Sequence, residues 1–296
     1  PQIIFGSMGA KGKLPVSIDD EFKVNEGIET LEIKRLGFSI PENVGMNSKV
    51  LTKIDSIANY AISKKMTPGI QVVVARKGKV IYQKSFGNHT YESTQKVNNT
   101  DVYDIASLTK IVATLPNVMQ EFDQGHLTLE TKLKTMLPEA KNSNKANATV
   151  LDMLTHQARF QPWIPFYKAT LDSLNRPSTH FYRSEFSDEF PVHVADKLYL
   201  RKNYNDTIVK TILDSELLPK KQYKYSDFTF ILFKEYLELH NKKSLEDLAH
   251  ANFFEPLGAN SIMYNPLRKM NANRIIPTEN DNYFRHQIVQ GYVHDM

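Results

Sequence analysis

The sequence predicts a mixed α/β fold of the α+β kind, which combines helices with an antiparallel hairpin. Apolar residues recur at helical spacing from Asn47 onward and again over residues 228–240. Between these stretches, residues 70–76 and 79–86 are rich in Val, Ile, Tyr and Phe, and a Lys-Gly pair separates them. That pattern is typical of two antiparallel strands joined by a tight turn.

Composition restricts the function more than the fold. The 296 residues, 41% of them hydrophobic, allow one large domain or two smaller ones. The net charge is only +4 and the basic residues are scattered among acidic ones, so nothing favours nucleic-acid binding. The sequence contains no run of about 18 apolar residues and therefore predicts no membrane-spanning helix. The absence of cysteine excludes disulfides and thiol catalysis.

The first half of the chain predicts four elements in order. Residues 1–40 mix Gly, Pro and acidic residues, which indicates an extended lead-in segment. The helix from Asn47 ends at a Pro-Gly pair, and the hairpin follows it. A further helix starts at Ser107, and its predicted buried stripe consists of Ile111, Val112, Leu115, Val118, Met119 and Phe122.

The second half reads as mostly helical with one aromatic stretch. Thr149 is a candidate N-cap for a short helix, and residues 252–258 end another. Residues 157–205 contain many of the chain's aromatic residues among prolines and charges. Two interpretations stay open for them: a long loop or lid, or a loop packed down by its own aromatic side chains.

A Ser-Leu-Thr-Lys stretch at residues 107–110 suggests nucleophilic catalysis. Positions i and i+3 of a helix share a face, so the Lys110 amine can reach the Ser107 hydroxyl. The same tetrapeptide pattern occurs at residues 93–96, but in a polar stretch that predicts a surface loop. The alternative for Ser107 is a helix N-cap, with Lys110 extending to solvent.

Tyr225 and Asp227 stand just before the predicted helix at 228–240. A phenol at that place can relay protons between a serine and a leaving group. A lysine base requires a partly deprotonated amine near neutral pH, which burial and a neighbouring cation or dipole can produce. The alternatives are an N-cap role for Asp227 and a core role for Tyr225.

Taken in order, these stretches resemble the class C-like branch of the serine beta-lactamase and penicillin-binding protein superfamily. The similarity covers most of the chain and includes residues 36–38, 68–80, 104–110, 151–156, 225–227 and 254–258. The resemblance implies an antiparallel sheet flanked by helices, a helical subdomain inserted after the first hairpin, and an active site in the cleft between them.

The resemblance also implies the roles of individual residues. Ser107 is expected to be the acylated nucleophile and to supply half of the oxyanion hole through its backbone N–H, Lys110 is expected to be the base, and Tyr225 the proton relay. The residues expected to bind substrate are Asp227, Trp163, Gln161 and His156.

Three departures from the family pattern concern activity. Asp227 replaces an Asn that is common in class C beta-lactamases, and Arg159 stands at or near the place of a usual Gly. The Lys-Thr-Gly or His-x-Gly element does not occur before residue 296. We therefore expect a domain over residues 41–296 that lacks its C-terminal strands and is inactive or impaired as an isolated chain.

The start of the chain suggests a fusion. Residues 5–7 (Phe-Gly-Ser) and 12–17 (Gly-Lys-Leu-Pro-Val-Ser) resemble the closing segment of a family 3 glycoside hydrolase, an N-acetylglucosaminidase type. In that interpretation residues 1–40 are a linker or the tail of a preceding glycosidase domain. The alternative is chance similarity within a Gly/Pro linker.

The predicted function is a serine hydrolase that needs no metal or other cofactor. The expected substrates are peptidoglycan fragments (muropeptides), cleaved as an amidase or peptidase would, with possible esterase or weak beta-lactamase activity on esters and beta-lactams. Family resemblance alone places it in the bacterial periplasm or cell envelope. The alternative is a catalytically silent domain that binds cell-wall fragments or partner proteins. No His-Glu-x-x-His spacing occurs among the nine histidines.

Overall fold

The computed structural model describes residues 9–30 and 36–294. Contacts divide the chain into two compact units, Pro1–Asp101 and Val102–Met296. The boundary predicted after residue 40 stays a prediction. Residues 5–7, part of the stretch that resembles a glycosidase, lie outside the described residues.

The first unit contains the predicted helix and hairpin. Its elements are β1 (Gly37–Phe38), α1 (Ser48–Ser63), β2 (Gly69–Arg76) and β3 (Lys79–Gly87). The Asn47 side chain caps α1 by accepting hydrogen bonds from the next helical N–H groups. β2 pairs antiparallel with β3, while β1 lies parallel to β3 on its other side. The predicted helix and hairpin are both confirmed.

The tight turn between the two strands explains the register of the hairpin. Lys77 and Gly78 have φ angles of 50° and 71°, so both residues occupy the left-handed region that a two-residue hairpin turn requires. Along α1, Leu51 and Ala58 are buried but Val50 and Ile57 are exposed. The buried stripe of α1 is therefore narrower than its apolar pattern indicated.

The second unit is mainly helical and carries two small sheets. Its helices are α2 (Leu115–Asp123), α3 (Leu133–Met136), α4 (Val150–Leu154), α5 (Tyr204–Asp214), α6 (Phe228–Asn241) and α7 (Leu245–Ala249). α6 lies in the core, where Phe228, Leu232, Phe233 and Leu237 are fully buried. Thr149 caps α4 by accepting from the Asp152 N–H, as its sequence position predicted. Among the described residues, no helix has both the length and the apolar character needed to cross a bilayer.

The helix after Ser107 buries a different face from the predicted one. A single π-helical turn over Lys110–Thr114 precedes α2. A π turn inserts an additional residue and so rotates every later side chain around the helix axis. Three residues of the predicted stripe are exposed: Ile111 (54%), Met119 (58%) and Phe122 (48%). Val118 is buried as predicted, together with four residues outside the predicted stripe: Ala113, Thr114, Asn117 and Glu121.

The aromatic stretch at residues 157–205 forms a packed element rather than an open loop. It contains β4 (Tyr182–Arg183), β5 (Val192–Ala195) and β6 (Leu198–Leu200), which make an antiparallel sheet of order β4-β6-β5. Phe160, Tyr182 and Phe190 are buried. A further hairpin pairs β7 (Glu279–Asp281) with β8 (Gln287–Val289). Both interpretations took this stretch for a loop, whereas the structure forms a small sheet in it; only part of the expected aromatic packing is present, since Trp163 and Phe186 are exposed.

Candidate functional site

Ser107 projects from a sharp turn immediately before the π-helical turn. Ala106 has a φ of 42°, which is unusual for a residue with a Cβ atom. The two carboxylate oxygens of Asp104 stabilise this turn: Oδ1 accepts from the Ala106 N–H at 2.8 Å, and Oδ2 accepts from the His294 N–H at 2.9 Å. Three residues after Ser107, the Lys110 N–H donates to the Ser107 carbonyl at 3.1 Å. The turn leaves Ser107 exposed.

Four of the predicted site residues meet in space. The Lys110 Nζ lies 2.9 Å from the Ser107 Oγ, and the Tyr225 hydroxyl donates to the same oxygen at 3.1 Å. Lys110 also forms an ion pair of 2.7 Å with an oxygen of Asp227. The Ser107 hydroxyl is thus between an amine and a phenol, and the amine is shared with a carboxylate.

Lys110 carries a positive charge in the resting site, whereas a general base must be neutral. Burial alone lowers the pKa of the Lys110 amine, but the hydrogen bonds and charges of Asp227 and Tyr225 together raise it above its usual value. The condition for a lysine base, a partly deprotonated amine, is therefore not met in the resting site, because a carboxylate rather than a cation is the nearest charged neighbour of Lys110. At neutral pH the resting amine is an ammonium.

His156 lies beside Tyr225 as a neutral ring. Burial lowers the pKa of the His156 imidazole, the Lys110 charge lowers it further, and Asp227 opposes both effects. Its Nδ1 accepts from the Ser226 N–H at 3.2 Å, and its ring centroid is 4.7 Å from that of Tyr225. His156 therefore orients the Tyr225 loop.

The same loop is tied to the chain around Gln161. The Ser226 Oγ donates to the Gln161 carbonyl at 2.6 Å, and the Asp227 N–H donates to the Pro162 carbonyl at 2.9 Å. The Asp227 carboxylate makes no capping hydrogen bond to α6, although Asp227 is the N-cap residue. The N-cap alternative for this side chain is therefore wrong, since its carboxylate binds Lys110 instead.

A cavity of about 540 Å³ opens at Ser107. Its polar lining consists of Ser107, Lys110, Tyr225 and His156, and its apolar lining of Ile105, Leu108, Ile111, Leu115, Leu154 and Phe230. Such a cavity accepts an apolar group beside a carbonyl that faces the serine.

Trp163 and Gln161 are not among the residues that line this cavity. Trp163 is 59% exposed, and the Gln161 amide donates to the Glu216 carbonyl at 3.3 Å. Their assignment to substrate binding stays a prediction.

Arg159 adopts the backbone conformation that the family's usual glycine would have at this turn. Its φ is 64°, so it adopts the left-handed conformation that glycine favours. Its Nε donates to the Leu218 carbonyl at 2.6 Å, and its own carbonyl accepts from the Leu218 N–H at 2.7 Å. These two bonds stabilise a turn of the glycine type with an arginine in it.

Sequence reasoning missed the residues that shape the serine turn. Asp104 and Ala106 form an Asx turn, whose only sequence signal is an Asp two residues before the turn residue. Separately, one group of described residues has donors spaced as in a metal site: Glu121, His126 and His240. None of these three lines the Ser107 cavity.

Comparison with known proteins identifies the family and the fold. The family model described as Beta-lactamase matches residues 58–288. The chain is similar to the N-acetylmuramyl-L-alanine amidase of Bacillus subtilis, with 25% identity over 241 residues that make up 77% of this chain and 49% of that protein. The chain therefore spans about half the length of this curated relative.

Two solved structures share the fold. The octameric penicillin-binding protein homologue from Pyrococcus abyssi matches 83% of this chain and 52% of its own, with a TM-score of 0.57 and 19% identity. A class C beta lactamase matches 71% of this chain and 50% of its own, with a TM-score of 0.51 and 20% identity. The predicted architecture of sheets and helices is confirmed.

Proposed function

Because this chain belongs to the beta-lactamase family, we propose that it is a serine hydrolase that forms an acyl-enzyme on Ser107. The observation that supports this most directly is the position of the Ser107 Oγ, within hydrogen-bond distance of both the Lys110 amine and the Tyr225 hydroxyl. A nucleophile in contact with a base and a proton relay is the arrangement that covalent acyl transfer requires.

The proposed reaction has two steps. The Ser107 Oγ forms a bond to the substrate carbonyl carbon while its proton passes to the neutral form of Lys110. The bond to the leaving group then breaks, and the leaving nitrogen or oxygen takes a proton through Tyr225. Water attacks the acyl-enzyme by the reverse proton path and regenerates Ser107. The Ser107 backbone N–H, which has no hydrogen-bond acceptor among the described residues, is free to bind the oxyanion.

The raised pKa of Lys110 makes this reaction depend on pH. Only the neutral amine can accept the serine proton, and Asp227 favours the ammonium. The neutral fraction grows as the pH rises toward the pKa of Lys110. Acylation is therefore expected to be slow at neutral pH and faster in alkaline solution.

We propose peptidoglycan fragments as the substrate class. The support is the similarity to a protein whose name specifies an N-acetylmuramyl-L-alanine bond. A muropeptide amide offers a carbonyl for Ser107, with ester or weak beta-lactam hydrolysis as side activities. A cell-wall substrate implies work in the cell envelope. The fusion to a glycosidase belongs to the same proposal, since removal of a sugar and cleavage of the adjoining amide act on one fragment.

One observation favours a second candidate, a catalytically silent domain that binds cell-wall fragments or partner proteins. The Asp227 carboxylate is 2.7 Å from the amine that should act as base. An ammonium cannot accept the serine proton. If the pair persists when substrate binds, the cavity recognises an acyl group without reacting with it.

A fluorophosphonate probe separates the two candidates. It is added to the wild type, to Ser107→Ala and to Ser93→Ala at neutral and alkaline pH, and the labelled residue is identified by mass spectrometry. Ser93→Ala is the matched control, because Ser93 starts the second Ser-x-x-Lys tetrapeptide of the chain. We expect Ser107 to be labelled faster at alkaline pH, in wild type and Ser93→Ala alike.

Two results contradict the proposal. Labelling that survives Ser107→Ala removes Ser107 as the nucleophile. Absence of labelling even at alkaline pH supports the silent binding domain.

A further inference from the structure

Glu121, His126 and His240 converge at the end of α2. The Nδ1 of His126 is 2.9 Å from the Oε2 of Glu121, and the Nε2 of His240 is 3.4 Å from the same oxygen. One ligand atom from each side chain lies within 4.8 Å of the other two. The Glu121 side chain is only 4% exposed, whereas those of His126 and His240 are 44% and 40% exposed.

The fold fixes the positions of all three side chains. Glu121 is in the last full turn of α2, and Gly125 reverses the chain with a φ of 76°. The His126 N–H then donates to the Glu121 carbonyl at 2.9 Å, which returns the imidazole to the carboxylate. His240 is in the last turn of α6.

Neighbouring residues orient these ligands. The Asn241 amide donates to Glu121 Oε1 at 2.9 Å, while Oε2 faces the two imidazoles and accepts from the Tyr236 hydroxyl at 3.4 Å. The Tyr236 ring stacks on His240, with centroids 5.4 Å apart and planes at 22°. Metal-binding carboxylates and histidines are usually supported by such outer contacts, which orient the ligand atoms.

We propose that Glu121, His126 and His240 bind one divalent transition-metal ion such as zinc. Two imidazole nitrogens and one carboxylate oxygen suit zinc and its neighbours, whereas calcium and magnesium prefer all-oxygen sites. With bonds of about 2.0–2.1 Å, ligand atoms around tetrahedral zinc are roughly 3.3 Å apart. The distances of 2.9 and 3.4 Å to Glu121 Oε2 are close to this value, whereas the 4.8 Å that bounds the separations requires the ligand atoms to close in by up to about 1.5 Å. The exposed edges of both imidazoles leave a fourth position for water.

The site has a structural role, because it is remote from the serine. α6 has 14 residues and so is about 21 Å long, with Asp227 before its first turn and His240 in its last. α2 likewise begins directly after the π turn that contains Lys110, and Glu121 is in its last turn. The ion therefore joins the far ends of the two helices whose near ends carry the Ser107 site. Its binding stabilises the folded chain by mass action.

The test uses the whole chain without an affinity tag, after removal of metals with a chelator. Zinc binding is measured by calorimetric titration, thermal unfolding with and without zinc, and the visible spectrum of the cobalt-loaded protein. We expect one zinc per chain, a higher melting temperature with zinc, and the strong visible bands of four-coordinate cobalt. His126→Gln and His240→Gln should weaken binding by more than the roughly 10- to 100-fold that loss of an outer contact costs, and Asn241→Ala by about that amount.

His250→Gln is the matched control, because His250 also faces a carboxylate, that of Glu255 at 3.8 Å, but belongs to no group of three possible ligands among the described residues. It should bind zinc like the wild type. Circular dichroism of each metal-free variant checks that it is folded before its affinity is compared. A stoichiometry near zero overturns the proposal, as does binding unchanged in both His126→Gln and His240→Gln, and the cluster is then a hydrogen-bonded carboxylate with two histidines.

Discussion

The second unit buries two lysines in opposite electrostatic settings. The Lys110 side chain is 12% exposed and contacts a carboxylate, Asp227. Lys145 is 1% exposed and donates to the Asn144 side chain at 2.9 Å and to the Ser215 carbonyl. Burial lowers the pKa of the Lys145 amine to about 8, against the opposing charges of Glu216 and Asp214. The pKa of Lys110 is raised, although Lys110 is also buried.

The contrast shows that the neighbouring carboxylate, rather than burial, decides which amine can act as a base near neutral pH. Neutral acceptors solvate an ammonium less well than water does, so Lys145 loses its proton early. A carboxylate at ion-pair distance compensates for the lost water, so Lys110 keeps its proton. Lys145 thus has the pKa of a general base but lies in the core. Lys110 lies where a general base is needed, beside Ser107, but is charged.

The largest effect on the acylation rate should come from removing Lys110, with removal of Lys145 as the comparison. Lys110→Met should slow acylation of Ser107 by roughly 10²- to 10⁴-fold, the usual contribution of a general base. Lys145→Met should leave the acylation rate of the folded protein unchanged. Labelling rates with the fluorophosphonate probe measure both. Equal labelling rates in Lys110→Met and wild type contradict the assignment of Lys110 as base.

The two lysines should also affect stability with opposite signs. Between pH 8 and 10.5 the unfolded state binds a proton at Lys145 that the folded state has released, so Lys145 makes the free energy of unfolding rise with pH there, by roughly 3 kcal/mol in total. Lys110 has a raised folded pKa, so its contribution is present at lower pH and is lost as the pH passes that value. Urea unfolding across this range should show a smaller rise, or a fall, in Lys145→Met. An identical pH dependence in that variant and the wild type contradicts the lowered pKa.

Asp227→Asn should make Lys110 resemble Lys145. Without the carboxylate, the hydrogen bond and charge that raise the pKa of Lys110 are gone and the neutral fraction at pH 7 increases. We expect about a tenfold faster labelling of Ser107 at pH 7 for each unit by which the pKa falls. The alkaline rise in the rate should move to lower pH by the same amount.

The control for this change is Asp214→Asn. Asp214 acts on Lys145 rather than on Lys110, so this variant should keep the wild-type rate profile. A slower rate in Asp227→Asn at every pH contradicts the inhibitory role of the ion pair.

The sequence predicted the helices and the hairpin whose ends depend on interactions between adjacent residues. Asn47 and Thr149 cap their helices, and the Lys77-Gly78 turn closes the hairpin, because each depends on a few adjacent residues. The buried face after Ser107 was predicted only in part, since Asn117 and Glu121 are buried there through hydrogen bonds that the apolar pattern does not reveal. The strands of the β4-β6-β5 sheet are two to four residues long, too short for a periodic signal.

The candidate site was predictable in its parts but not in its charges. Ser107 and Lys110 are three residues apart, and helical geometry brings them together. Tyr225 reaches them only through the tertiary fold, so the resemblance to a family was needed to associate the three. The contact between Asp227 and Lys110 had no sequence signal, because an Asp before a helix is most often a cap. The sequence therefore predicted the proposed nucleophile and base without revealing that the Lys110 amine pairs with a carboxylate.

The Asp104 carboxylate sets an order of events during synthesis of the chain. It joins the Ala106 and His294 N–H groups, and His294 is 190 positions further along. Val102 likewise pairs with Ile275. These contacts have the long sequence separation that slows folding, and they cannot form until the later residues leave the ribosome. The turn that presents Ser107 therefore acquires its contact with His294 only after residue 294 has left the ribosome, long after Ser107 itself has been added to the chain.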